Sequence, residues 1–204
     1  MALCRRCTLL DGSGSVTYFS LRNLTRALRF ALRLVHRPRH AIPGPKALAQ
    51  GLAVGFATTL DQGSRAIIEK NIEDRLGVSV AAKSGGAKNS SVSANMAADV
   101  QFDPDGAWLS VESYWIKAGP KPIDLTMAHK DFVITTSVRG HLQNIARMLS
   151  GGRFPILLEG PTSSGKTSLV KFLAQLTGHE FVRINNHEHT DLQEYIGQYV
   201  CDPA

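Results

Sequence analysis

Between Asp11 and Asp61 the sequence contains no acidic residue, while the same stretch carries Arg22, Arg26, Arg29, Arg33, Arg37, Arg39 and Lys46. A basic surface is therefore expected near the N-terminus, where the formal charge of +6, from 23 Lys and Arg against 17 Asp and Glu, is concentrated. Long apolar runs are also missing. Nothing approaches the roughly 18 to 20 apolar residues that a membrane span needs, which excludes an integral membrane protein. Cysteine is scarce: Cys4, Cys7 and Cys201 cannot all pair, and without a secretory signal they point to a reducing compartment. Cys4 and Cys7 form a CxxC, but no second pair or nearby His completes a zinc site. What remains is ordinary for a folded chain. With 204 residues, 43% of them apolar, there is enough material for one domain or two small ones.

The first periodic segment runs from Ser20 to Val35. Leu21, Leu24, Leu28, Leu32 and Val35 recur at helical spacing, and Arg22, Arg26, Arg29 and Arg33 form a stripe elsewhere on the same helix. The expectation is a helix capped by Ser20, packed on its leucine face, with arginines toward solvent or an anionic partner. Pro38 stops it. Weaker helical patterns span 46–60 and 64–76, the second closed by Gly77. From Ala81 to Ala98 the composition falls to Ala, Ser, Gly, Asn and Lys, as in a flexible linker. Short strands are expected at Trp108–Ile116 and Asp131–Thr135, separated by a turn-rich stretch at 118–122. Ser137 is placed to cap a helix with Val138, Leu142, Ile145 and Leu149 on its apolar face, ended by Gly151 and Gly152.

The most specific signal follows. Pro155–Glu159 is a short apolar run suited to a buried parallel strand, and it leads directly into Gly160, Pro161, Thr162, Ser163, Ser164, Gly165, Lys166 and Thr167, a complete GxxxxGK[ST]. Ser168 begins a helix with Leu169, Phe172, Leu173 and Leu176 on one face. Each residue type has a physical reason. Gly160 and Gly165 permit backbone conformations and a close phosphate approach that a Cβ would hinder, so the amides of the loop can face a polyphosphate. The helix N-terminus adds positive potential. Lys166 supplies charge to the β and γ phosphates, and the Thr167 hydroxyl is placed to ligate Mg2+. Average residue frequencies put a chance match in a chain this long at about one in a hundred.

After the loop helix, Phe181–Asn185 is expected to be a second parallel strand of a βαβ unit. Thr190 and Gln193 have capping-box spacing for a helix toward Gly197. His187 and His189 lack further ligands for a metal, and their loop is better suited to a substrate or subunit contact. No apolar strand ending in the acidic residues that hold Mg2+ and polarise water follows Thr167. No catalytic residue is therefore assigned within the chain, and a fragment or truncated product is expected.

Gly160–Thr167 together with RINNHEHTDLQEYIG at 183–197 resembles the midasin family of dynein-related AAA+ ATPases, in which six ATPase units lie in tandem. The resemblance implies a P-loop NTPase fold of the α/β class: a partial parallel sheet preceded by a small helical lid subdomain. Residues 1–16 would be a disordered N-terminus, 17–80 the lid of a preceding unit, 81–107 a flexible linker, and 108–204 the start of an AAA+ domain. Phe19–Leu28 resembles the lid, with Arg22 matching its sensor 2 arginine. By the same resemblance the cofactors are ATP and Mg2+, and the partners are neighbouring AAA+ units of one parent chain and the preribosomal 60S particle with its assembly factors. The location would be the nucleolus and nucleoplasm. Neither a membrane nor direct nucleic-acid binding is expected. The alternatives are a product that binds nucleotide or partners without hydrolysis, and a basic RNA-binding module using the arginine helix.

Overall fold

The computed structural model describes residues 8–80, 98–130, 132–152, 154–186 and 193–197. Helices α1 (Leu21–Val35), α2 (Gly44–Phe56) and α3 (Gln62–Leu76) come first. Strands β1 (Val100–Phe102), β2 (Trp108–Val111) and β3 (Tyr114–Lys117) follow, and then α4 (Leu125–Lys130), α5 (Thr136–Ser150), α6 (Lys166–Thr177) and α7 (Gln193–Ile196).

The lid helices pack closely because small residues meet. A Cβ on Gly51 would stand 2.3 Å from the Ala27 carbonyl oxygen, and one on Gly55 would stand 2.9 Å from the Ala27 Cβ. This contact selects the face of α1 that is buried: Ala27, Phe30, Ala31 and Leu34. The expected leucine face is thereby corrected, since Leu21, Leu28 and Leu32 are 67%, 43% and 55% exposed. Two helices that approach through alanine and glycine leave no depth for a leucine ridge between them. Ser20 does flank the helix start, its backbone N–H and Oγ both lying within hydrogen-bond distance of Asn23 Oδ1 (3.2 and 3.1 Å). The α3 ends follow the sequence. Asp61 accepts from the Ser64 amide at 2.9 Å, and Gly77 closes the helix in the left-handed region at φ 65°.

Three expectations about the flanks of these helices change. Residues 8–16 are ordered: Leu10 bridges Val16, Asp11 bridges Leu60, and Leu9 is buried among the residues of α2 and α3. Residues 81–97 lie outside the described residues, but 98–107 contain β1 and the turn into β2 rather than a linker. The 108–116 segment is a hairpin, not one strand. Glu112 and Ser113, at φ 49° and 72°, turn β2 antiparallel onto β3, and β1 pairs with β2 through Val100 and Val111. Residues 132–135 form no strand, and α5 starts one residue before Ser137, capped by Thr135, whose hydroxyl accepts from the Val138 amide at 3.3 Å.

The larger core joins the hairpin, α4, α5 and α6 through Leu109, Ala128, Leu142, Ile145, Phe172 and Leu176. The lid docks on it at particular points. Phe30 faces Phe154 at 5.9 Å between ring centroids, and the Arg33 guanidinium lies 4.3 Å from the Phe154 ring centroid. Arg65 of α3 donates to Asn144 Oδ1 of α5 at 3.0 Å. Arg37 is buried, donating from Nη1 to the Trp115 carbonyl at 3.2 Å and from Nη2 to the Ser150 carbonyl. Beside it, His40 stacks on Trp115 at 3.7 Å, and Arg39 pairs with Asp103 and Asp105 at 2.8 and 2.5 Å. The expected basic surface thus loses Arg37 to the interior and Arg39 to ion pairs. Arg22, Arg26, Arg29 and Arg33 remain exposed.

Candidate functional site: a phosphate-binding loop on α6

The loop at 160–167 is set by the helix that follows it. On α6, Leu169, Phe172, Leu173 and Leu176 are all buried, as their spacing predicts, and Phe172 stacks on Phe132 with ring centroids 4.4 Å apart. The far end of the helix is tied down by backbone. Gly119 donates to the Thr177 carbonyl at 2.8 Å and Lys121 to the Gly178 carbonyl at 2.9 Å, so the turn-rich stretch serves as an anchor for α6. Its first turn holds no acidic residue, which leaves the positive end of the helix uncompensated.

Gly165 precedes the helix in the left-handed region at φ 83°, and Ser163 is also left-handed at φ 64°. Positive φ on both sides of Ser164 is the backbone form that turns amides toward one centre, where an anion is held. Gly160 lies beneath this centre. A Cβ there would reach within 3.5 Å of Ser164 Oγ and 4.0 Å of Lys166 Nζ, filling the space between the start of the loop and its lysine. Lys166 Nζ donates to the Gly160 carbonyl at 2.8 Å, the Pro161 carbonyl at 2.6 Å and Ser164 Oγ at 3.2 Å. Its ammonium is thus held in the middle of the loop. Thr162, Ser163, Ser164, Thr167 and Ser168 are exposed, with Thr167 and Ser168 on the first turn of α6. Donors, a positive helix end and a central cation, with no carboxylate among the loop residues, suit a polyphosphate.

Arg22, which the resemblance assigns to the lid of a preceding unit rather than to this loop, stands exposed on α1, which packs on α2. Pro155–Glu159 and Phe181–Asn185 form no helix and pair with no strand among the described residues. Leu157 and Val182, 82% and 73% exposed, show the flanks that a central strand would cover. The described sheet is the antiparallel hairpin with β1, and with the helical lid and the P-loop helix α6 it fits a partial AAA+ fold of the α/β class. His187, His189 and Thr190 lie outside the described residues, as do Cys4, Cys7 and Cys201. Among the described residues no group of His, Cys, Asp and Glu is arranged to hold a metal, and no helix is long and apolar enough to cross a membrane. A groove of about 510 Å³ between α3 and α5 is lined by Arg65, Glu69, His141 and Asn144, but Arg65 there is engaged by Glu69 and Asn144.

Comparison with known proteins agrees with this division. The family model of the midasin AAA lid domain matches residues 2–79, and that of the ATPase family associated with various cellular activities (AAA) matches residues 156–200. Midasin of Dictyostelium discoideum is 39% identical over 201 residues, covering 95% of this chain and 3% of its own. The chain belongs to the midasin family. Midasin of Giardia intestinalis is 34% identical over 206 residues, covering 91% of this chain and 4% of its own. The chain thus spans a few hundredths of the length of the midasins it matches. No solved structure matches it. The midasin lid match starts at residue 2 rather than 17, in keeping with Leu9 and Asp11 packing on the lid helices. Sequence reasoning missed Arg37, which joins this midasin lid to β3 and α5, and Phe154, which joins it to the start of the segment entering the phosphate loop. Their signal is faint, an arginine before a proline and a phenylalanine after Gly152.

Proposed function

We propose that this chain supplies the ATP-holding loop of one unit of a midasin-like AAA+ ATPase, together with the lid of the unit before it. The carrying observation is Lys166, held by the loop oxygens at the N-terminus of α6 with Gly160 clearing the space beside it. In this reading the loop amides and Lys166 bind the β and γ phosphates, and the Thr167 hydroxyl takes a place in the Mg2+ shell. Mg2+ supplies charge neutralisation at those phosphates when bound. The order of the matches, lid before AAA, supports assigning the lid to a different unit from the loop. For the parent, the reading is remodelling of pre-60S particles with their assembly factors in the nucleolus and nucleoplasm, in the company of neighbouring AAA+ units. The family likeness supports it.

Calorimetric titration of the chain with ATP and Mg2+ tests the site. Lys166→Ala should weaken ATP binding by about tenfold or more, since it deletes a charge-assisted contact to phosphate. Equal affinity of wild type and variant would remove Lys166 from the site. The runner-up, a nucleotide binder without hydrolysis, is favoured by the absence of any carboxylate bonded to Lys166 or Thr167 among the described residues.

A further inference from the structure

We infer that Ser164 is a positioning residue whose hydroxyl holds the place of a phosphate oxygen on Lys166, and so limits how tightly the loop binds a polyphosphate. The inference rests on the polyphosphate reading of the site. A lysine ammonium has three N–H donors. Those of Lys166 are engaged by the Gly160 carbonyl at 2.8 Å, the Pro161 carbonyl at 2.6 Å and Ser164 Oγ at 3.2 Å. The two carbonyls belong to the backbone at the base of the loop and make the shorter bonds. The third partner is a neutral side chain at the longest distance, and it is the one that yields.

Ser164 has its Oγ 3.5 Å from the position a Gly160 Cβ would occupy, so the hydroxyl faces into the loop. The residues on either side, Ser163 and Gly165 at φ 64° and 83°, fix the backbone that directs it there. An anionic phosphate oxygen makes a stronger bond to the ammonium than a hydroxyl does. It therefore displaces Ser164 Oγ, and the bond that is broken is subtracted from the affinity. Without the hydroxyl, the third donor stands ready for phosphate.

The test is calorimetric titration with inorganic tripolyphosphate, which carries the phosphate chemistry without base or ribose, on wild type, Ser164→Ala, Ser164→Thr and Lys166→Ala. Ser164→Ala should bind about threefold to tenfold tighter than wild type, the worth of one ordinary hydrogen bond. Ser164→Thr restores the hydroxyl and should return to the wild-type value, and the melting temperatures of the free proteins should agree. Unchanged binding in Ser164→Ala overturns the inference. Weaker binding also overturns it, because the hydroxyl would then be a phosphate ligand in its own right. If Lys166→Ala binds as well as wild type, it is the polyphosphate reading that fails. If wild type binds nothing measurable, a Ser164→Ala protein that gains binding supports the inference and one that gains none overturns it.

Discussion

Replacing Arg37 by alanine should destabilise the whole molecule although Arg37 lies far along the chain from the phosphate loop. Its guanidinium bridges the Trp115 and Ser150 carbonyls and lies 5.4 Å from the Trp108 ring centroid. Burial lowers its pKa from the ordinary value, yet guanidinium stays charged at neutral pH. Each hydrogen bond from a charged donor contributes about 1.5–3 kcal/mol. Alanine removes two of them and strands two carbonyls, while releasing the cost of keeping a cation out of water. The balance is a loss of about 2–4 kcal/mol, in the range for breaking one side of a buried polar contact. For a chain of this size that is a fall in Tm of about 4–16 °C, each kcal/mol being worth about 2–4 °C. Arg37→Lys should fall between, because a point charge cannot reach both carbonyls with the fork of a guanidinium. Thermal denaturation followed by far-UV circular dichroism reads the effect. An alanine variant melting within 1 °C of wild type would refute the reasoning, and with it the view that Arg37 holds the lid on the hairpin and α5.

Gly151→Ala sets a methyl group 2.1 Å from Phe30 Cε2, against a ring that cannot simply rotate away, and should cost about 1–3 kcal/mol in denaturant unfolding. Asp61, capping α3, has its carboxyl held below the usual range by hydrogen bonds from Ser64, so its contribution is present above pH 3.8 and is lost as pH falls through the lower folded value. Asp61→Asn keeps the cap and removes that titration, so the drop in stability between pH 6 and pH 3 should be smaller in the variant; an equal drop would exclude Asp61 as a contributor. Phosphate release from the purified chain with ATP and Mg2+ should stay at background, since among the described residues no carboxylate is bonded to Lys166 or Thr167 to support hydrolysis. Turnover abolished by Lys166→Ala would show that a group in these 204 residues does that chemistry.

The local geometry at 160–177 was legible from residue order alone, because a left-handed Gly165, a lysine opening the helix and a helix with its buried face on one side are local requirements. The ends of α3 were legible for the same reason: an Asp cap and a left-handed Gly77 act within one helical turn. The buried face of α1 was not, since hydrophobic periodicity ranks leucine above alanine. Gly51 and Gly55, more than twenty residues away in the chain, decide instead that alanine goes inside. Pro155–Glu159 and Phe181–Asn185 have strand composition, but a strand is a relation between two segments. Where no partner lies alongside among the described residues, composition alone makes no ladder. The turn at Glu112 and Ser113 was hidden because neither residue is one of the usual Asn or Gly signals for positive φ.

The docking of Phe30 and Arg33 on Phe154 bears on how this protein can be dissected. Phe154 comes one residue before the segment that enters the phosphate loop, so the helical half and the loop-bearing half share a seam that chain order conceals. A peptide cut between Val80 and Ala98 severs covalent continuity but none of the contacts made by Phe154, Arg37 or Arg65. The two pieces are then partners by complementation rather than independent domains. Produced apart, the helical piece bares Phe30, Arg33, Arg37 and Arg65 and the other bares Phe154 and the acceptors of Trp115, Ser150 and Asn144, and mixing them restores what either one lacks.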